Sequence, residues 1–315
     1  MKPPIHHPSN LPAFLGLDGP AAGYADSRAV VIPVPYEATC SYKGGTARGP
    51  GAILEASPNA EWFDEELQLE LDRVGIATLP ALNVERLTPK EMVDTVESSA
   101  ERAFADGKIV AGLGGEHTVS LGFIKAALRH HPGLTVLQVD AHPDLRETYE
   151  GRPICHATVG RRICELAPLV QVGLRAWSIE EERLIEATCN RPVNHDAVKS
   201  RSVQPLTVFP AARIHRDPDW ISQVVSRLGD TIYVTFDVDG LDVSLMPATG
   251  TPEPGGLTWR QAADLLHAAA GAARIVGFDV VELSPIPHLH HCDYTAARLA
   301  ARLIGLAVQS QDIRD

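Results

Sequence analysis

The chain has 315 residues, 44% of them hydrophobic, and a formal net charge of −12, enough for a large core and with no basic run to carry nucleic acid. No apolar stretch reaches the roughly 20 residues of a membrane-spanning helix, and the first residues hold no hydrophobic signal core, so a cytoplasmic protein without a membrane partner is expected. Five cysteines without a C-x-x-C pair, Cys40, Cys155, Cys164, Cys189 and Cys292, read as reduced thiols, and the negative charge suits a cationic substrate as well as it suits plain solubility.

Residues 1–27 are rich in Pro and Gly and read as an N-terminal arm, with Phe14, Leu15 and Leu17 pinning it to the body or to a neighbouring subunit. Residues 28–315 read as a single domain. His6, His7, His130 and His131 have no neighbouring carboxylate in sequence and read as surface histidines. A strand is predicted over 28–34, a glycine-rich loop over 36–50 and a short helix over 51–57. At Thr88-Pro-Lys-Glu91 a capping box with Pro at the first helical position opens a helix whose apolar face is Val93, Val96, Ala100 and Phe104. A strand at 108–113, a helix near 118–130 and a strand at 134–139 follow. Beyond loop 145–155 come a helix near 157–167, a strand at 169–172, a helix near 178–188, a mixed region at 190–215 and a helix at 221–228. Strand 231–237, a proline-rich loop at 240–256, a second capping box at Thr258 and Gln261 opening a helix to about 270, strand 274–281 and helix 295–308 complete the chain. Strands alternating with helices predict a parallel sheet covered on both faces.

Residues of metal-ligand type crowd the ends of three of these strands. One ends in Asp140-Ala-His142-Pro-Asp144, one in Asp237-Val-Asp239-Gly-Leu-Asp242, one in Gly114-Gly-Glu-His117. If the backbone stays extended, alternate side chains point one way, so Asp140, His142 and Asp144 can converge on one point. Carboxylates and imidazoles without thiolate suit a hard-to-borderline divalent cation such as Mn²⁺. The plain alternative, solvated polar residues at strand ends, fits poorly with the pattern's recurrence. The carboxyl edge of a parallel sheet is also where such folds bind ligands.

These motifs, with Thr249-Gly-Thr-Pro-Glu-Pro-Gly-Gly256 after the second, resemble the ureohydrolase (arginase–agmatinase) family over about residues 29–309. The stretch from Asp144 to Tyr149 with His156-Ala-Thr-Val-Gly-Arg-Arg, and Glu282-Leu-Ser-Pro, resemble the agmatinase branch. The resemblance implies a three-layer α/β/α domain around a mainly parallel sheet of about eight strands, assembled as a homo-oligomer, commonly a trimer or hexamer. It implies two Mn²⁺ per chain: His117 and Asp144 on one ion, His142 and Asp239 on the other, Asp140 and Asp237 bridging. A water shared by such ions gives hydroxide near neutral pH, which a resonance-stabilised guanidinium carbon needs. Glu282 would bind the guanidinium edge, His156 would carry the proton to the departing amine, and Thr251 would help position the substrate; Asp242 reads as structural.

The implied substrate is a small cationic guanidino compound, agmatine first, giving urea and putrescine. Glu147 and Glu150 in loop 145–155 suggest a cationic tail, whereas Arg146 and Arg152 would suit a carboxylate. N1-aminopropylagmatine, guanidinobutyrate and arginine remain open. The His117 motif and the complete second ligand set argue against a single-zinc deacetylase of related fold, and retention of all six ligands with His156 and Glu282 argues against an inert assembly subunit. Four departures from the family pattern stand out, one of them Val243 where a proline usually follows Asp242. Gly-Gly-Glu116-His-Thr118 replaces the usual Gly-Gly-Asp-His-Ser, Ala248 replaces a glycine, and Ala157-Thr-Val replaces Gly-Thr-Pro.

Overall fold

Short β-branched runs alternate with amphipathic helices along the chain, and the computed structural model, which describes residues 11–188 and 204–314, turns that alternation into layers. His6, His7, Cys189, the first part of the expected arm and most of the mixed region lie outside the described residues. The strands are β1 (Ala29–Val34), β2 (Phe63–Asp64), β3 (Leu69–Glu70), β4 (Ile76–Thr78), β5 (Ile109–Gly114), β6 (Thr135–Val139), β7 (Leu169–Leu174), β8 (Leu206–Pro210), β9 (Thr231–Asp237) and β10 (Arg274–Val281). The helices are α1 (Gly49–Ala56), α2 (Pro89–Ala105), α3 (Ser120–His130), α4 (Val159–Cys164), α5 (Ile179–Thr188), α6 (Ala211–Ile214), α7 (Trp220–Val225), α8 (Trp259–Ala272) and α9 (His290–Asp312).

Eight strands form one sheet in the order β4-β1-β5-β10-β9-β6-β7-β8, every pairing parallel. Because side chains alternate along a strand, β1 sends Ala29 and Val31 into one core and Val30, Ile32 and Val34 into the other. The first core is closed by α1, α7, α8 and α9, the second by α2, α3 and α4. Fold class is therefore the expected three-layer α/β/α arrangement. Both expected capping boxes form, Thr88 with Glu91 and Thr258 with Gln261.

Several elements differ from expectation. The edge strand β4 and the separate β2–β3 hairpin are too short to stand out, and β8 falls inside the stretch that reads as mixed. α9 starts at His290 and not at Thr295, and α4 is shorter because a 3₁₀ turn, His156–Thr158, precedes it. His130 is not a bare surface residue: its Nε2 lies 3.1 Å from Glu101 of α2. In the described part of the arm, Phe14 and Leu15 are fully buried in the first core.

Candidate active site

The four central strands, β5, β10, β9 and β6, are neighbours in the sheet. Their carboxyl ends therefore deliver His117, Glu282, Asp237 with Asp239, and Asp140 to Asp144 to one place. The backbone there is tightly constrained. A Cβ on Gly115 would lie 2.0 Å from the Tyr36 carbonyl oxygen, so only glycine lets the two segments pass. Asp144 and Glu282 hold φ of 52° and 66°, a left-handed conformation that non-glycine residues seldom adopt outside functional sites. The positive φ of Asp144 also breaks the extended run assumed for Asp140, His142 and Asp144. They do not converge on one point. Two groups form instead, His117 with Asp140 and Asp144, and Asp140 with His142 and Asp239, sharing Asp140.

His117 Nδ1 lies 3.1 Å from Asp140, 3.2 Å from Asp144 and 3.5 Å from Asp237. His142 Nδ1 lies 3.0 Å from Asp239 and 3.7 Å from Asp140. The other ring nitrogen of His117, Nε2, is 3.0 Å from Thr235 Oγ1, and Thr235 gives its own proton to Asp279 at 2.6 Å. Thr235 can therefore only accept from His117, which fixes a proton on Nε2 and leaves the Nδ1 lone pair as the ring's basic site. Burial disfavours charge there, but Asp140, Asp144 and Asp237 outweigh it and raise the ring well above the ordinary histidine range in the metal-free chain. That lone pair faces three carboxylates, and His117 Nδ1 is a buried nitrogen without a directed hydrogen bond. Three carboxylates around one buried nitrogen need positive charge, which a proton on Nδ1 supplies only in part, so the residues fit divalent metal of the type their oxygen and nitrogen donors select.

The charges say the same. Burial, and then the Asp140 carboxylate, push Asp144 up to about 7. Burial with Asp239 and Asp140 drives Asp237 well above the carboxylate range, and burial with Glu116 does so for Glu282. Burial disfavours charge on His142, but Asp239 and Asp140 outweigh it and lift the imidazole to about 12. The carboxyl groups cannot all ionise without positive charge among them. Behind Asp140, Gln138 donates to Oδ2 at 2.7 Å and is itself held by Gln171 at 2.9 Å.

A cavity of about 330 Å³ opens onto these groups. His117, His142, Asp144, Asp237, Glu282, His156, Thr251 and Arg146 all line it, together with Tyr149, Trp177 and Glu181. Glu282 Oε1 accepts the His117 backbone N–H at 2.6 Å. Burial, then the positive His117 and His142 rings, depress His156 to about 4. Glu147 departs from expectation: its carboxylate turns away to Arg162 at 3.1 Å and Arg161 at 3.2 Å and does not line the cavity. Glu150 likewise pairs with Arg152 at 3.0 Å. Arg146 does reach the cavity, stacked over Tyr149 with its charge 3.9 Å from Glu181. The sequence reading missed Glu181, which is buried and accepts from Leu145 N at 3.0 Å and Ser178 N at 2.8 Å. Its signal was present as a capping box, Ser178-Ile-Glu-Glu181. Asp242 accepts from Gly255 and Gly256 at 2.8 and 3.0 Å, closing the long loop that carries Thr251.

The arginase family pattern matches residues 27–308. N(1)-aminopropylagmatine ureohydrolase of Thermus thermophilus is 37% identical over 284 residues, covering 90% of this chain and 91% of that protein. An agmatinase of Bacillus anthracis is 33% identical over 282 residues, covering 86% and 88%. In structure, the agmatine ureohydrolase of Thermoplasma volcanium superposes with a TM-score of 0.80 at 29% identity, covering 94% of this chain and 95% of that one. The eight-stranded parallel sheet, the shared carboxylate–imidazole cluster and these likenesses agree: the chain belongs to the arginase family of ureohydrolases.

Proposed function

We propose that this chain hydrolyses a guanidino compound with a cationic amine tail to urea and a polyamine, with N1-aminopropylagmatine ahead of agmatine and arginine well behind. The observation that carries the chemistry is one cavity shared by both carboxylate–imidazole groups, Glu282 and His156. The ordering of substrates leans on the relatives, since the protein bearing the aminopropylagmatine name is more similar than the agmatinase. It no longer leans on Glu147 or Glu150, whose charges are answered by arginines.

His117 and Asp144 would hold one divalent cation, His142 and Asp239 a second, with Asp140 and Asp237 shared; manganese is the metal we assign. Bound there, the pair supplies a water acidic enough to yield hydroxide near neutral pH. Glu282 accepts hydrogen bonds from the planar guanidinium edge. His156 takes up a proton from the cavity at its Nε2 atom and passes it on to the departing amine. Thr251 positions the substrate, Trp177 offers an aromatic face to a cationic tail, and Glu181 is a further buried carboxylate of the cavity, with Arg146 beside it and stacked on Tyr149. We further propose a homo-oligomer, trimer or hexamer, which light scattering of the purified protein tests.

Urea release from N1-aminopropylagmatine, agmatine, guanidinobutyrate and arginine at equal concentration, with Mn²⁺ added, ranks the specificity constants. A first place for arginine or guanidinobutyrate overturns the cationic tail. A first place for agmatine overturns only the preference for the longer amine.

A further inference from the structure

The two departures in Gly-Gly-Glu116-His-Thr118 meet each other: Thr118 Oγ1 donates to Glu116 Oε1 at 2.6 Å. Glu116 is completely buried. Its Oε2 accepts the backbone N–H groups of Ala38 and Thr39 at 2.6 and 2.7 Å, and its Oε1 also accepts the Thr39 hydroxyl at 2.7 Å. Glu116 thus clamps the start of the glycine-rich loop onto the end of β5. The clamped hydroxyl, Thr39 Oγ1, lies 3.0 Å from His156 Nδ1 and accepts the His156 backbone N–H at 3.3 Å. On the other side of the ring, Ser41 Oγ lies 2.7 Å from Nε2.

We propose that Glu116 and Thr39 are positioning residues that hold His156 as its Nδ1–H tautomer, so that Nε2 is the ring's acceptor, hydrogen-bonded by Ser41 and the atom that would exchange a proton in the cavity. Proton counting carries this. A threonine hydroxyl has one proton, and a carboxylate only accepts. If Thr39 gave its proton to the ring, two oxygen acceptors would face each other at 2.7 Å with nothing between them. The proton therefore goes to Glu116, and Nδ1 must be the donor to Thr39. Ser41, which is exposed and lines the cavity, then donates to Nε2. The Tyr149 ring meets the imidazole edge-on at 5.6 Å. Arg152, His117, His142 and Asp140 are the charged groups whose fields reach His156, and none of them bonds the ring. Fixing the tautomer matters because a histidine with its proton on the wrong nitrogen cannot work through the other one.

The role, though not the tautomer, rests on the reading of His156 as the proton carrier. The test is nitrogen NMR of the full chain labelled with ¹⁵N-histidine, metal-free to avoid paramagnetic broadening, at pH 8, with His156→Gln assigning the signal. We expect Nδ1–H in the wild type and in Thr39→Ser, and a shift towards Nε2–H in Thr39→Val. In kinetics of the Mn²⁺-loaded enzyme, Thr39→Val should lose turnover by about tenfold to a hundredfold with KM little changed, and Thr39→Ser should restore it. Glu116→Gln, which keeps one acceptor oxygen for four donors, should move the tautomer the same way. An Nε2–H signal in the wild type, or a tautomer indifferent to both Thr39→Val and Glu116→Gln, overturns the proposal. Full turnover in His156→Gln overturns the role while leaving the tautomer standing, so the two failures are told apart.

Discussion

The Nδ1 lone pair of His117, turned inward by Thr235, is met by three carboxylates, and the proposed metal roles rest on that mismatch. Asp140 is the one carboxylate common to both groups. Asp140→Ala should therefore cost both ions, not one, in metal analysis after Mn²⁺ loading; full occupancy in the variant would refute a shared ligand. His156 stands apart from the ligands, so His156→Ala should keep its metal and lose turnover on the order of 10²–10⁴-fold, the usual scale for a positioned acid or base. Wild-type turnover with an unchanged pH profile would return it to a packing role. At this scale the sequence was most informative where motif and chemistry coincide, at the strand ends. It was silent on Thr39 and Ser41, because a hydroxyl more than a hundred residues away in the chain becomes a partner of His156 only through the fold. It misjudged Glu147 because charge in a loop has no direction until the loop folds, and Arg161 and Arg162 of α4 claim that carboxylate.

The central strands β5, β6, β9 and β10 were readable as continuous apolar runs because a parallel strand is buried on both faces. Edge strand β4 has only three residues, and β8 is half-buried at three of its five positions and falls inside a stretch of mixed sequence, so neither stands out as a buried run. Strand order is a property of the crossovers and not of any one segment. The loop between β9 and α8 shows how an element without regular structure is held. Asp242 accepts from Ser244, Gly255 and Gly256, and the Ser244 hydroxyl, followed by these backbone N–H groups, overcomes burial to bring its carboxyl down to about 2. Asp242→Ala hands those mostly exposed donors to water, which should cost about 1 kcal/mol and lower both Tm and the specificity constant, since the loop carries Thr251. The carboxyl is depressed in the folded state, so its contribution is present above the usual aspartate pKa near 4 and is lost as pH falls through about 2. The stability gap between wild type and Asp242→Asn in denaturant titrations should accordingly close on acidification. A gap that persists undiminished at pH 2 would mean that the charge of Asp242 contributes nothing.

Across the whole molecule, the buried carboxyls make folding and metal binding answer to pH in opposite directions. Without cations, Asp144 is raised to about 7 by burial and the Asp140 charge. Between about pH 4 and 7 the folded chain therefore holds a proton that the unfolded chain has released, and stability falls as pH rises through that window. His142, lifted to about 12 against burial by Asp239 and Asp140, has the same sign at higher pH. Its contribution is complete below the ordinary histidine pKa of about 6.5 and drains away as pH climbs. Metal binding runs the other way, because the ligands must shed those protons before they can coordinate, so affinity grows with pH. The difference in Tm between the Mn²⁺-saturated and the chelator-treated protein should therefore widen steadily from pH 5 to pH 8. At a hundredfold excess of metal over Kd each ion adds about 2.7 kcal/mol, so two ions should separate the curves by roughly 10 °C for a chain of this size. The scans belong at one fixed protein concentration, since subunit association also moves Tm. A gap that is absent, or that narrows as pH rises, would show that the crowded carboxyls of Asp140, Asp144, Asp237 and Asp239 are balanced by something other than metal.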